Sequence, residues 1–361
     1  MAPGRGPARF GVVGSGWRGE FFVRMARLMP ERFECAGVVT RSSSRAEQIG
    51  ATWGVPAVQT LDELVSARPE FVVVAVPWPQ TPEVTRALVA AGVPVLAETP
   101  PAPDADGLRS LWSDVGASGL VQVAEHSPSM PAHAARIAVV ESGAIGVPTS
   151  VQISSTHLYH AVGLIRRLLG VAPGVTRVRA TRLVGPLLDP LARDGWTGAT
   201  APAPAGTTLA TLDFGDGRGA LYDFTDNQWH NPLRTNRIVV RGSHGEIVDD
   251  AVTRWVDPTT VLTSRLERRV SGLEQNLDGF DLEHLSFDGR VVYRNDFHGA
   301  RLADDDLAVA ELLRATAAWV RDEGPAPYPL AEGSEDHLIG LAIDEAVSSA
   351  GEVVAGPAPW A

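Results

Sequence analysis

Three glycines near the amino terminus have the spacing of a phosphate-binding loop. Gly14, Gly16 and Gly19 form the pattern GxGxxG in the segment GSGWRG, directly after an apolar run typical of a buried strand. In such a loop the first glycine permits a tight turn, the second lets the backbone approach a pyrophosphate, and the third allows close helix packing. Amide groups at the start of the following helix can hold the phosphate charge. Structural glycine turns share this pattern, but its position favours a dinucleotide site with loop contacts from Gly14, Ser15, Gly16, Trp17 and Arg18.

The end of the second predicted strand carries hydroxyls and a guanidinium where an acidic residue would indicate NAD. An Asp or Glu at that point would bind the adenosine ribose and repel a 2′-phosphate. This chain has VVTRSSSR instead. The segment favours NADP over NAD, with Thr40, Arg41, Ser42 and Arg45 contacting the adenosine half. The alternative is a solvated helix start that is capped by a serine.

Apolar strands alternate with helices around this loop over the first 146 residues. Strands are predicted at 9–16 (with the glycine turn), 33–40, 71–77, 93–98 and 120–125, and helices at 17–28, 45–54, 61–67, 81–92, 104–117 and 131–146. This alternation predicts a parallel sheet that helices cover on both faces, which is the doubly wound arrangement.

The pattern changes after residue 146 to runs of alternating polar and apolar residues. Strands are predicted at 149–157, 176–184, 208–215, 219–226 and 236–250, late helices at 305–324 and 334–351, and an exposed loop at 198–206. Such strands indicate a largely antiparallel sheet. We therefore expect an α/β chain with a Rossmann domain over 1–125 and an α+β domain over 126–361, whose last helix can pack back on the first domain.

Composition narrows the range of partners. The chain has 361 residues, 44% hydrophobic and 20% charged, which is enough for two packed domains. A net charge of -12 without a basic run disfavours nucleic acid and anionic membranes. A single cysteine, Cys35, and the lack of an apolar leader predict a cytoplasmic protein. The sequence contains no lysine, so neither a Schiff base nor a lysine acid is available.

Several longer segments resemble those of the Gfo/Idh/MocA oxidoreductases, such as glucose–fructose oxidoreductase and inositol dehydrogenase. The matching segments are GVVGSGWRG, VAVPWPQTPEVTRALVAAGVPVLAETP (74–100), ESGAIG (141–146), HLYHAVGLIRRLLG (157–170), VVRGSHGEIVDD (239–250) and AVSSAGEVV (346–354). The resemblance implies a Rossmann domain, an open-faced α+β domain, NAD or NADP as cofactor, a small-molecule substrate, and assembly into a homodimer or homotetramer through the second sheet. Within these segments we predict cofactor contacts from Pro77, Glu98 and His126.

The chain departs from this family where the catalytic residues are expected. A typical member has Glu-Lys-Pro, with the lysine near the nicotinamide and the substrate hydroxyl, whereas this chain has Glu98, Thr99 and Pro100. A second signature, close to Asp-x-Gly-x-His-x-x-x-Asp, falls on Thr156 to Gly163. There His160 matches the central histidine, and both carboxylates are replaced. Where many members carry an aromatic residue followed by Gln or Asn, this chain has Glu125 and His126.

Hydride transfer needs a proton donor when an alkoxide develops on the product oxygen. A histidine has an unperturbed pKa of about 6.5 and can exchange a proton near neutrality, whereas a threonine hydroxyl cannot. We therefore predict His160 as the acid/base, with Tyr159 beside it, Thr99 orienting a substrate oxygen or a water, and Glu98 binding the nicotinamide ribose or amide. The alternative for HLYH is a pair of packed, hydrogen-bonded rings at a helix start.

Further polar aromatic residues are candidates for the wall of a substrate cleft. His157, Trp229 and His230 are predicted substrate contacts, although a strand turn with a packed tryptophan would explain the last two. No metal is predicted, because no cysteine or carboxylate spacing accompanies the histidines.

Two functions agree with these residues. The favoured one is an NADP-dependent oxidoreductase acting on a sugar, cyclitol or related carbonyl, or on an imine, since an already protonated substrate needs less help from an enzyme acid. The alternative is a catalytically silent NADP-binding sensor that regulates a partner. Loss of the lysine and both carboxylates favours the sensor, and retention of His160 favours the enzyme.

Overall fold

Six parallel strands form the first sheet of the computed structural model, which describes residues 6–361. The elements are β1 (Ala8–Val13), α1 (Trp17–Leu28), β2 (Phe33–Val39), α2 (Ser43–Trp53), β3 (Ala57–Val58), α3 (Leu61–Ser66), β4 (Phe71–Val74), α4 (Thr81–Ala90), β5 (Val95–Ala97), α5 (Ala105–Val115) and β6 (Val121–Val123). The strand order β3-β2-β1-β4-β5-β6 is that of a Rossmann sheet, which confirms the predicted fold class. Strand β3 was not predicted, because two residues are too few to show a period.

The strands of this sheet are apolar throughout because both faces are covered. Successive side chains of a strand point to opposite faces. One face carries Phe10, Val12, Phe71, Val73 and Leu96, and the other carries Val13, Val72, Val74, Val95 and Ala97. All ten are buried, so helices exclude water from each side. The carboxyl ends of β1, β4, β5 and β6 therefore form an edge at which loop residues meet.

The second sheet has eleven strands and dominates the rest of the chain. The elements are α6 (Pro131–Glu141), β7 (Pro148–Ser154), α7 (Leu158–Leu169), β8 (Thr176–Leu187), β9 (Leu191–Ala192), β10 (Gly195–Trp196), β11 (Ala203–Asp213), β12 (Gly219–Thr225), β13 (Arg237–Gly242), β14 (Gly245–Val248), β15 (Ala251–Asp257), β16 (Thr260–Ser271), β17 (Asp281–Phe287), β18 (Arg290–Arg294), α8 (Asp304–Val320), α9 (Leu330–Ser349) and β19 (Glu352–Ala355). β9 and β10 form a separate hairpin.

The order of the large sheet is β18-β17-β16-β15-β14-β13-β7-β12-β11-β8-β19, and only β7 and β12 pair in parallel. The predicted, mostly antiparallel sheet is thus confirmed. The predicted exposed loop at 198–206 is wrong from residue 203 onward, because β11 begins there and pairs with β8. The composition of this segment is that of a loop. Its pairing with β8 nevertheless provides hydrogen-bond partners for the backbone at Ala203 and Pro204.

Helices α8 and α9 contact elements of both halves of the chain, and α7 packs within the second half. α7 is buried along almost its whole length because it lies between the large sheet and α9. α8 contacts α1, β1 and β4, and Arg321 at its end donates to Glu70 (Nε to Oε1, 2.7 Å). α9 contacts α5 and β6 of the first sheet. The domain boundary after residue 125 stays a prediction. Among residues 6–361, none of the helices combines the length and apolar character needed to cross a bilayer.

Candidate active site

The glycine loop has the geometry that a phosphate needs. Gly14 has a φ of 114°, and a Cβ there would lie 2.2 Å from the Ala75 carbonyl oxygen. A Cβ on Gly19 would lie 2.2 Å from the Gly14 carbonyl oxygen, so α1 can pack this closely only with glycine. A Cβ on Gly16 would meet no atom within 4 Å, and no side chain caps α1 at that residue. The amide groups at the start of α1 therefore face open space and fit a bound pyrophosphate.

Alanine substitutions should separate the folding and binding roles of these glycines. Gly14→Ala is expected to destabilise the protein by at least about 1–3 kcal/mol, because both the φ and the carbonyl contact resist a side chain. Gly16→Ala is expected to cost less than about 1 kcal/mol, because the φ of -75° is ordinary. It should nevertheless weaken dinucleotide binding at least about tenfold, since its methyl group occupies the phosphate approach. Urea unfolding and dinucleotide titration measure the two effects, and unchanged affinity in Gly16→Ala would contradict the site.

The residues after β2 mostly support the loop itself. The Ser15 hydroxyl donates to buried Thr40 (Oγ to Oγ1, 3.0 Å), and Ser42 caps α2 by accepting from the Arg45 amide. The Arg45 side chain donates to the Ser15 carbonyl (2.8 Å) and pairs with Glu20. Ser42 is therefore a helix cap, as the alternative interpretation expected, and Arg41 just before it is exposed.

A chain of polar contacts joins α1, the ends of β5 and β6, and α8. Arg18 donates to Glu98 (Nε to Oε1, 2.8 Å) and to His126 (Nη2 to Nδ1, 3.1 Å). A guanidinium has no acceptor, so Nδ1 of His126 must accept and Nε2 must carry the proton. Nε2 lies 2.7 Å from Asp305 Oδ1 on α8. Three residues that were predicted to contact the cofactor, Arg18, Glu98 and His126, thus lie together. Asp305, which was not predicted, is hydrogen-bonded to this group.

His160 forms a close pair with Glu125. Nδ1 of His160, in the first turn of α7, lies 2.6 Å from Oε2 of Glu125, which follows β6. Burial alone would raise the pKa of Glu125, but the charge and hydrogen bond of His160 outweigh it and hold that pKa at about 2. The ionised carboxylate must accept, so Nδ1 donates. Nε2 of His160 forms no hydrogen bond with the described residues and remains available for proton transfer.

Thr99 and Tyr159 lie next to this pair. The Tyr159 phenol is hydrogen-bonded to the Thr99 side chain, and the rings of Tyr159 and His160 have centroids 4.5 Å apart. Burial raises the pKa of Tyr159, so its phenol stays protonated near neutrality. The rings of His126 and His160 lie 6.0 Å apart. The predicted catalytic residues therefore lie at the end of β5, beside the predicted nicotinamide contacts.

The predicted substrate residues are only partly brought together. Trp229, half exposed, packs edge-on against His157 with ring centroids 4.6 Å apart and lies 3.4 Å from the Thr156 hydroxyl. Burial, with a smaller contribution from the charge of His160, lowers the pKa of His157 to about 3, so His157 is neutral near neutrality. The His230 side chain forms no ring pair and no side-chain hydrogen bond within residues 6–361. Pro77 is exposed just beyond β4.

The roles of Glu125 and Asp305 were not recognised in the sequence. Glu125 stood out only because it replaces a residue type that many Gfo/Idh/MocA members carry. Asp305 lies in the run DDD at the start of α8, which the sequence presents as an ordinary acidic first turn. Within the described chain, no cluster of three His, Cys, Asp or Glu residues could hold a metal ion.

Comparison with known proteins places this geometry in context. Residues 8–125 match the sequence model of the Gfo/Idh/MocA oxidoreductase family, described as an NAD-binding Rossmann fold. No curated protein matches the sequence.

Many solved structures share the whole fold. A myo-inositol dehydrogenase from Corynebacterium glutamicum has a TM-score of 0.65 and 18% identity, covering 98% of this chain and 100% of its own. Levoglucosan dehydrogenase in complex with NADH and levoglucosan has a TM-score of 0.67 and 16% identity. The match covers 96% of this chain and 99% of that protein. An oxidoreductase from Agrobacterium radiobacter in complex with NAD+, L-tartaric acid and magnesium has a TM-score of 0.67 and 15% identity. The match covers 96% of this chain and 98% of that protein.

The Rossmann sheet with its glycine loop is the fold that the matching family model describes, and the large second sheet follows it in the chain. Residues 8–125 are similar to the Gfo/Idh/MocA oxidoreductase family, in agreement with the sequence resemblance. The similar solved structures share their fold with nearly the whole chain.

Proposed function

We propose that this protein is an NAD(P)-dependent oxidoreductase in which His160 is the acid/base. The observation that carries the proposal is the 2.6 Å contact between His160 Nδ1 and Glu125 Oε2. A carboxylate that accepts from one ring nitrogen fixes the orientation and tautomer of the imidazole and directs the other nitrogen outward. The pair supplies a proton-transfer group at the place where this chain lacks the family's lysine.

The reaction needs one hydride and one proton. The nicotinamide supplies or accepts the hydride. In reduction, Nε2 of His160 gives a proton to the product oxygen, and in oxidation it takes the proton from the substrate hydroxyl. Thr99, held by the Tyr159 phenol, orients the substrate oxygen, and Glu98 binds the nicotinamide ribose or amide. His157 is neutral and unsuited to proton donation, so its role is contact with the substrate.

The substrate class that fits is a sugar, a cyclitol or a related carbonyl. The similarity of residues 8–125 to the Gfo/Idh/MocA family supports this class, as do two proteins of the same fold, a levoglucosan dehydrogenase and a myo-inositol dehydrogenase. The half-exposed indole of Trp229 beside His157 offers an apolar wall with a polar edge, which suits a ring that carries hydroxyls. Incubation with NADPH or NADH and a panel of sugars, cyclitols and imines tests the proposal. Tight nucleotide binding without any turnover would favour the sensor alternative.

NADP is the proposed cofactor. No carboxylate follows β2, and exposed Arg41 lies there together with the start of α2. A guanidinium pairs well with a 2′-phosphate. We expect NADPH to bind more tightly than NADH, and Arg41→Ala to weaken NADPH binding about tenfold while leaving NADH unchanged. Arg68→Ala, at an exposed arginine after α3, is the matched control. Tighter NADH binding in the unmodified protein would contradict the proposal.

The outer face of the large sheet supports a homodimer or homotetramer. Leu183, Leu209 and Leu221 lie on β8, β11 and β12 and point to the side away from α7, with exposures of 55%, 37% and 48%. Analytical ultracentrifugation tests this assembly, and a monomer at micromolar concentration would contradict it.

A further inference from the structure

The hairpin of β9 and β10 reaches from the second domain to the phosphate loop. Arg193, in its two-residue turn, holds its guanidinium carbon 3.5 Å from the centroid of the Trp17 ring. Trp17 is the first residue of α1, directly after Gly16, and its side chain is 59% exposed. The arginine therefore lies beside the helix start at which a pyrophosphate would bind.

The base of the hairpin is tied to the segment that carries Trp229. The Asn227 amide donates to the side chain of Asp189 (2.6 Å) and to the carbonyl of Leu191 (2.9 Å). Asn231 donates to the carbonyl of Leu188 (2.9 Å). These bonds fix the segment that leads into β9, so the hairpin links the proposed substrate wall to the phosphate loop that Arg193 contacts.

The ion pairs of the loop distinguish Arg193 from Arg18 and Arg45. Arg18 is paired with Glu98, and Arg45 is paired with Glu20. Arg193 forms no ion pair within residues 6–361, and its described contact is the uncharged Trp17 ring. A pyrophosphate carries negative charge, and the start of α1 contributes only a partial positive charge. Arg193 brings an uncompensated full charge to that place.

We propose that Arg193 is a pyrophosphate-binding residue contributed by the second domain, and that Trp17 holds it in position until the dinucleotide binds. An arginine–phosphate hydrogen bond is stronger than an exposed cation–π contact, so the guanidinium exchanges the ring for the phosphate oxygens. The hairpin then covers the bound cofactor and links its binding to the substrate side. This inference rests on the proposed dinucleotide site.

Binding titrations test the inference without turnover. The probes are NADPH or NADH, whichever binds more tightly, and ADP-ribose, which keeps the pyrophosphate but lacks the nicotinamide. Arg193→Ala is expected to raise the Kd of both probes by about tenfold to hundredfold. Arg193→Lys should retain part of the affinity, since lysine keeps the charge but not the planar fork. Arg290→Ala, at an exposed arginine on the far edge strand β18, should leave both Kd values unchanged.

The outcomes separate this inference from the proposed function. If Arg193→Ala binds both probes as the unmodified protein does, the inference is wrong and the cofactor site stands. If the variant loses affinity for the dinucleotide but not for ADP-ribose, Arg193 serves the nicotinamide half and the inference is again wrong. If the unmodified protein binds neither nucleotide, the proposed function itself is wrong, and the inference with it. Thermal unfolding verifies that the exposed substitution leaves the fold intact.

Discussion

Replacement of His160 by alanine is expected to lower kcat for a carbonyl or alcohol substrate about 10²- to 10⁴-fold, the usual contribution of a positioned acid/base. The KM of the cofactor should change little, because the polar chain of Arg18, Glu98 and His126 does not include His160. Steady-state kinetics with the best substrate of the panel measure both constants. The variant should also lose one limb of the pH profile of kcat.

That pH limb can be assigned because Glu125 does not titrate near neutrality. The folded-state pKa of Glu125 is lowered to about 2, so its ionised form stabilises the fold above the ordinary glutamate pKa. This contribution is lost only as the pH falls toward 2. Glu125→Gln keeps the size of the side chain but removes the charge opposite Nδ1 of His160. We expect a smaller decrease in kcat than in His160→Ala, together with a shifted pH limb, which a purely structural role would not produce.

His284→Ala is the matched control, because His284 lies on β17 near the far edge of the large sheet. Its kcat and pH profile should equal those of the unmodified protein. Full activity of His160→Ala with sugars would refute His160 as the acid/base. Activity retained with imines but lost with sugars would instead identify imine reduction as the reaction that this site performs without an enzyme acid.

Replacement of Arg166 by methionine is expected to destabilise the protein by about 3–5 kcal/mol, the usual cost of removing one partner of a buried ion pair. The Arg166 side chain is 3% exposed and donates to Asp336 on α9 (Nη1 to Oδ1, 2.6 Å), which is 2% exposed. It also donates to Glu332 (Nη2 to Oε2, 2.6 Å). Methionine fills similar space but leaves the Asp336 carboxylate without its cation. Urea unfolding followed by circular dichroism measures the change in unfolding free energy.

The adjacent arginine provides an internal control. Arg167 and its partner Glu141 are each 54% exposed, so Arg167→Met should change the unfolding free energy by less than about 1 kcal/mol. Adding Asp336→Leu to Arg166→Met is expected to recover part of the lost stability, because it removes the unpaired charge. Equal effects of the two arginine substitutions would show that burial of Arg166 does not determine its contribution.

The first half of the fold could be predicted because its signals are local. An apolar strand buried on both faces and an amphipathic helix each have a period visible within ten residues, and α1 has the predicted bounds of 17–28. GxGxxG could likewise be interpreted because its three glycines act within one turn. Strand β3 and the start of β11 could not be predicted, because each depends on pairing with a distant partner and not on its own composition.

The composition and local periods of this sequence determined the alternating Rossmann half, the antiparallel half, the glycine loop and the absence of a lysine. The tertiary structure alone decided which side chains meet. Glu125 and His160 are separated by 35 residues, and His126 and Asp305 by 179. Such contacts depend on where the helices pack, since α8 contacts β1 and β4 of the first sheet whereas α7 contacts β7 and α9. The period of a sequence indicates only which face of an element is buried. Which residue packs against that face depends on the packing of elements that are far apart in the chain.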